Sequence, residues 1–272
     1  MGVAVPLDRS GKIAYDKKNG RDSIMKYQTL SVSIPHRGRA VDGILRIPAA
    51  GAPSPAVIFS HGYNGSARDF SPVAEALAER GIASFCLDFC GGSVHAQDTL
   101  STVDMTIKTE MQDLEASLDR LKEYDGIDKN AIFLFGGSQG GLVSALVAAE
   151  REQDVAGLVL LFPALCIADN WRERYPSEAD IPDETELWGM KLGKNFFLSV
   201  RNLDPFAIIG RYTKRVLILH GDADDVVPLS YSEKAETIYP DSELIVFHGE
   251  GHGFTESGMR DVTDRLLRFV CR

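Results

Sequence analysis

Long apolar runs are missing from this chain, and no stretch approaches the ~20 residues that cross a bilayer, so no membrane span is expected. Residues 1–20 lack the apolar core and the small-residue cleavage site of a secretory signal. Cysteine is sparse. Cys86, Cys90, Cys166 and Cys271 form neither a C-x-x-C pair nor a zinc-type spacing, which argues against a disulfide framework and reads as reduced thiols in a cytoplasmic protein. There is no H-E-x-x-H and no G-x-x-x-x-G-K-[ST], so neither metal catalysis nor nucleotide phosphate binding is expected, and no cofactor is implied. Positive charge is in deficit, with 29 Lys and Arg against 39 Asp and Glu, a net −10. That balance makes nucleic acid or an acidic membrane surface a poor partner. It leaves room for a small neutral or weakly anionic substrate.

What is present is an ordinary globular composition, 44% hydrophobic and 25% charged over 272 residues. Chains of this length often fold as one α/β unit with a core large enough to need no staples. Short β-rich runs alternate with longer helical patterns, the signature of a mostly parallel sheet covered on both faces. Eight strands are expected at 28–34, 43–47, 56–60, 82–88, 131–135, 157–162, 215–220 and 243–247. Several are nearly continuous apolar runs, as strands buried on both faces require. Helical periodicity covers 70–80, 104–124, 138–149, 231–238 and 258–269. Between the sixth and seventh strands, residues 163–207 break the rhythm. This stretch is several times longer than an ordinary crossover and carries Trp171, Trp188 and the Phe196-Phe197 pair. So long an excursion beside strand ends is expected to be a cap or lid.

The segment from Ala131 to Leu142 reads as a buried strand, a glycine-flanked serine, and a helix. Gly136-Gly-Ser-Gln-Gly140 fits the G-x-S-x-G nucleophile elbow, which lifts Ser138 Oγ above the strand ends at a helix N-terminus that favours developing negative charge. Acyl transfer also needs donors for the oxyanion. The backbone N–H of Gln139, just after the serine, is one. The loop His61-Gly-Tyr-Asn-Gly65, with Gly62 permitting close approach, makes the Tyr63 N–H the second; His61 itself reads as a structural group bonded to backbone.

In this architecture the acid and the base follow the serine in that order. Of the six histidines, His36, His61 and His95 precede the serine. His220 closes a strand, and His248 lies at a strand end four residues before His252. His252, in the glycine-rich loop after the last strand, is therefore the candidate base. Loops of the form H-G-x-x-D-x-x-V-P place the acid at Asp224, with Asp225 and Asp222 as alternatives. The acid would hold the imidazole tautomer and stabilise imidazolium. Together these motifs point to an α/β-hydrolase fold with a serine nucleophile. Residues 1–272 are read as one domain and 163–207 as the cap within it.

The chain resembles the bacterial cinnamoyl (feruloyl) esterases from about Gln28 onward. The likeness rests on Asp88-Phe-Cys-Gly-Gly-Ser93, Thr102-Val-Asp-Met-Thr106 leading into Glu110, Gly137-Ser-Gln-Gly-Gly141 with Val143-Ser-Ala145, and residues 206–221. The resemblance implies a carboxylesterase for small hydroxycinnamate esters, a cap that forms part of the acyl pocket, and a homodimer. Family members bind the ring hydroxyls with a cap aspartate and a cap tyrosine. Asp169 is the counterpart of the first. Phe197 stands where the tyrosine belongs, with Tyr175 as a substitute donor and Trp188 as a further wall residue. A serine peptidase or amidase, a general short-chain esterase and a non-catalytic binding protein on the same fold are the competing readings.

Overall fold

The chain alternates strand and helix because its apolar period alternates between two and about 3.6. A computed structural model describes residues 25–49, 51–95 and 100–272; the reading of residues 1–20 lies outside them. The order is β1 (Tyr27–His36), β2 (Arg39–Pro48), β3 (Ser54–Ser60), α1 (Ser71–Ala78), β4 (Ala83–Leu87), α2 (Ile107–Leu121), β5 (Ile127–Gly137), α3 (Gln139–Glu150) and β6 (Gly157–Leu161). There follow α4 (Ile167–Arg174), β7 (Glu184–Leu187), β8 (Met190–Gly193), α5 (Lys194–Arg201), α6 (Phe206–Ile209), β9 (Val216–Gly221), α7 (Leu229–Ile238), β10 (Ser242–Phe247) and α8 (Glu256–Val270).

Eight strands form one sheet in the order β1-β2-β4-β3-β5-β6-β9-β10. The first hairpin and the β2–β4 pairing are antiparallel, and every other pairing is parallel. This is the mostly parallel, eight-stranded α/β-hydrolase sheet expected from the sequence. Side chains alternate between its faces. Ile58, Leu134, Leu158 and Ile218 enter the core under α2, α3 and α7. Phe59, Phe135, Val159 and Leu217 enter the core under α1 and α8. With helices on both faces, the central strands β4, β6 and β9 are buried throughout, which is why they read as unbroken apolar runs.

Helix boundaries follow local chemistry. Thr106 caps α2, accepting the Thr109 N–H at 3.1 Å, while Thr109 Oγ1 accepts from the Thr106 N–H at 2.9 Å. Thr255 caps α8 through the Gly258 N–H.

Two features of the topology position the site. First, β4 and β5 lie on opposite sides of β3, so the connections leaving β3 and β5 part there. Parallel sheets open a crevice at the carboxyl ends of strands at such a switch point. Second, the chain leaves the sheet after β6 and returns at β9. In between run α4, the antiparallel β7–β8 hairpin, α5 and the start of α6; the expected boundary at residue 207 falls inside α6. Phe196, Phe197, Val200, Met190 and Leu192 of this excursion are buried and continuous with the core under α2 and α3.

Candidate active site

β3 and β5 run side by side, with Ser60 opposite Gly136. The loops that leave their carboxyl ends therefore meet. Ser138 has φ of +51°, a left-handed conformation that a residue with a Cβ adopts only when its surroundings force it. The forcing is visible at the flanking glycines. A Cβ on Gly136 would collide with the Gly140 carbonyl, and one on Gly140 with the backbone of Ser60 and His61. Helix α3 can thus start close against β3, with Ser138 Oγ at its N-terminus. On the opposing loop, a Cβ at Gly62 would lie 3.2 Å from Ser138 Cβ.

Ser138 Oγ is 3.0 Å from His252 Nε2, and His252 Nδ1 is 2.8 Å from Asp224 Oδ2. The Asp224 side chain is fully buried. Its other oxygen accepts the N–H groups of Val226 and Val227 at 2.9 and 2.8 Å, so the carboxylate is fixed by its own loop. His220 lies behind it, with Nε2 3.0 Å from the Val227 carbonyl and 3.3 Å from Asp224 Oδ2. Both are acceptors, so Nε2 carries the proton and Nδ1 accepts from Ser232 Oγ at 2.7 Å. Burial lowers the His220 pKa and keeps the ring neutral.

The alternatives for the acid lie elsewhere. Asp225 is exposed. Asp222 accepts from Gly249 N–H and binds His248, both at 2.7 Å, in an exposed pair; these bonds hold its carboxyl below the ordinary range. The structure therefore brings together the three residues singled out from the sequence and separates Asp222 and His248 from them.

Tyr63 and Gln139 flank the serine, and among the described residues neither backbone N–H has an acceptor. Each is braced from behind. The Tyr63 hydroxyl donates to the Leu187 and Met190 carbonyls at 2.9 and 3.3 Å, tying this loop to the β7–β8 hairpin. Burial raises the Tyr63 pKa, so the hydroxyl stays a donor. His61 accepts the Phe89 N–H on Nε2 at 3.0 Å and binds the Gly62 carbonyl through Nδ1 at 2.7 Å. Burial lowers its pKa. Gln139 Nε2 donates to buried Glu110. Sequence reasoning noticed Glu110 and the run 88–93 only as marks of resemblance. Their placement behind the two loops depends on contacts across tens of residues.

Ser138 opens onto two clefts. One, of about 260 Å³, is lined by Tyr63, Gln139, Ile167, Trp171, Trp188 and Phe196, among others, and is largely apolar. The second, about 490 Å³, contains His252, Phe162, Phe254 and Asp69. Trp188 stands at the turn of the β7–β8 hairpin, borders both clefts and is 68% exposed.

The other three wall residues expected from the resemblance are not on the wall of the first cleft. Phe197 is fully buried against Trp171, Tyr175 and Phe196, because the apolar stripe of α5 turns it inward. Tyr175 stacks on Trp171 and directs its hydroxyl to Thr185 Oγ1 at 3.2 Å. Asp169 accepts from the Tyr231 hydroxyl at 2.7 Å and pairs with Arg172; the Tyr231 bond lowers its pKa. In their place α4 presents Ile167, Asn170, Trp171 and Arg174. Their i, i+3, i+4, i+7 spacing is one helix face. That spacing was available in the sequence, but nothing local says which face of so polar a helix meets the cleft. Among the described residues, no group of three or more His, Cys, Asp or Glu could hold a metal ion. No helix among them is long and apolar enough to cross a membrane.

With this geometry in view, comparison with known proteins is informative. The family model for serine aminopeptidase, S33 (Hydrolase_4) matches residues 51–199, more than half of the chain. The chain belongs to this α/β-hydrolase family. Est1E from Butyrivibrio proteoclasticus, solved with ferulic acid bound, superposes with a TM-score of 0.80 at 28% identity, covering 88% of this chain and 97% of its own. The acetyl xylan esterase from Paenibacillus sp. R4 shares the fold at 19% identity and a TM-score of 0.64, over 90% of this chain and 89% of its own. Among curated sequences, the uncharacterized protein YfhR of Escherichia coli O157:H7 is 22% identical over 207 residues, 72% of this chain. The match spans 65% of YfhR, so the chain covers less than two thirds of that relative.

Proposed function

We propose that this protein is a serine carboxylesterase acting on small carboxylic esters, with hydroxycinnamate-type acyl groups as the preferred class. The reading rests on one observation: Ser138 Oγ, His252 and Asp224 are linked by bonds of 3.0 and 2.8 Å, and Ser138 lines an apolar cleft. The likeness to Est1E, whose structure holds ferulic acid, supports the choice of acyl group.

Ser138 attacks the ester carbonyl while His252 Nε2 takes its proton. Asp224 holds the imidazole by Nδ1 and stabilises its charge. The carbonyl oxygen becomes an oxyanion facing the free N–H groups of Tyr63 and Gln139. His252 then protonates the departing alcohol, leaving an acyl-enzyme that water cleaves by the same steps in reverse roles. The general acid must face the leaving group. His252 lines the second cleft, which therefore takes the alcohol, and the acyl group occupies the cleft under α4 and the hairpin.

The family description favours a second reading, an aminopeptidase. Such an enzyme must hold a substrate ammonium on the acyl side. The acyl cleft has an arginine and no carboxylate in its lining, which favours the ester reading. Rates for methyl ferulate, p-nitrophenyl butyrate and an aminoacyl-anilide, with Ser138→Ala as control, test both. Methyl ferulate is expected to lead, and the variant to lose all turnover. A leading anilide would replace the esterase with a peptidase; turnover retained by Ser138→Ala would remove the nucleophile.

A further inference from the structure

Resting on that reading, we propose that the far end of the acyl cleft is an anion subsite in which Arg174 receives a carboxylate carried by the acyl group, opposite its ester end. Three observations carry it.

The first is position. Arg174 lines the same cleft as Ser138 and sits seven residues along α4 from Ile167, on the same face. Two helical turns put it about 10 Å further along the wall. An acyl group that spans the cleft brings its distal substituent toward the guanidinium rather than toward the reacting carbonyl.

The second is availability. Among the described residues Arg174 has no carboxylate partner and no hydrogen bond. Its contacts are with the rings of Trp171 and Tyr175, with Cζ 5.6 and 5.7 Å from the centroids. Those two rings lie nearly parallel, 9° apart. Cation–π contact of this kind leaves the guanidinium N–H donors of this exposed side chain unspent. By contrast, the neighbouring Arg172 is committed to Asp169 and to the Arg201 carbonyl.

The third is the chemistry of the wall. No Asp or Glu lines the cleft. The acceptor expected there, Asp169, is engaged by Tyr231 and Arg172. Of the polar groups that α4 contributes, the Asn170 amide donates to Cys166 Sγ at 3.5 Å, the Trp171 indole N–H is buried with no acceptor among the described residues, and the Arg174 guanidinium is the one cation. A wall that offers donors and an unpaired cation selects an electron-rich, anionic oxygen.

The test compares methyl esters of cinnamic acids that differ only at the para position: hydrogen, hydroxyl and carboxylate. The expected result is a kcat/KM for methyl 4-carboxycinnamate at least 10-fold above that of methyl cinnamate, carried mostly by KM. Arg174→Gln should erase that ratio, lowering kcat/KM for the carboxylate ester far more than for methyl cinnamate, and Arg174→Lys should restore part of it. A ratio near one in the parent protein, or one that survives Arg174→Gln, overturns the subsite. Binding of 4-carboxycinnamate to Ser138→Ala, measured by calorimetry with and without Arg174→Gln, reads the subsite independently of turnover. If no ester is cleaved yet this binding is lost on Arg174→Gln, the esterase reading fails and the subsite stands. If esters are cleaved and 4-carboxycinnamate binds no better than cinnamate, the subsite fails and the esterase reading stands.

Discussion

Gln139 Nε2 lies 2.9 Å from both carboxyl oxygens of Glu110, a residue buried in the first turn of α2. The residue immediately after the candidate nucleophile is thus anchored by its side chain to a different helix, while its main-chain N–H has no acceptor among the described residues. Burial pushes the Glu110 carboxyl up to about 8, against the opposing pull of the Gln139 hydrogen bond. Asp113, one turn further on, raises it further, although Asp113 itself is paired with Arg39 at 2.8 Å.

A pH dependence of stability follows from Glu110. The folded chain keeps a proton that the unfolded chain gives up near its ordinary value of 4.5. The stabilising contribution is complete below that pH and is lost as the pH climbs to about 8. Glu110→Gln removes the titration and preserves the shape. Its loss of stability between about pH 5 and about pH 9 should be smaller than the parent's, by on the order of 2–4 kcal/mol. Thermal melts across that range measure it, and parallel curves would remove Glu110 as the titrating group.

Asp224→Asn should lower kcat by roughly 10⁴-fold with KM little changed, because the amide no longer fixes the imidazole in the tautomer that accepts from serine. Asp222→Asn, which alters only the exposed pair with His248, should leave kcat within about 2-fold. Steady-state kinetics on one ester compare the two directly. The reverse ranking would transfer the role of the acid to Asp222.

Phe196 and Phe197 are adjacent but do different work. Phe197 is closed in by Trp171 and Tyr175, whereas Phe196 also lines the cleft. Phe197→Tyr would bury a hydroxyl among rings, at about 1–3 kcal/mol of stability if it finds no acceptor. A lower Tm and no gain on phenolic esters are expected. A tighter KM for methyl ferulate would instead put this position in contact with substrate. Phe196→Ala should enlarge the cleft and raise KM for aromatic esters.

Much of this molecule was legible in one dimension, for reasons that are local. Strands buried on both faces must be apolar throughout, so several of the sheet strands stood out as runs. The elbow needs small residues at fixed offsets from the serine, so Gly136 and Gly140 marked Ser138. The chain order of elbow, acidic loop and glycine-rich loop singled out Asp224 and His252, because each rides on the loop that leaves a strand end.

The tertiary structure decided what depends on packing between distant segments. It placed Glu110 beneath Gln139, His220 behind Asp224, and the 88–93 run against the loop that carries Tyr63. It also decided which residues line the cleft beside Ser138. Asp169, Phe197 and Tyr175 were reasonable choices by type and position, yet each is committed to a neighbour within the excursion, and the wall is made by Ile167, Asn170, Trp171 and Arg174. A strand buried on two sides declares itself by composition alone. A polar helix such as α4 has several faces of similar character, and only the rotation set by docking against α5 selects the one that faces the cleft.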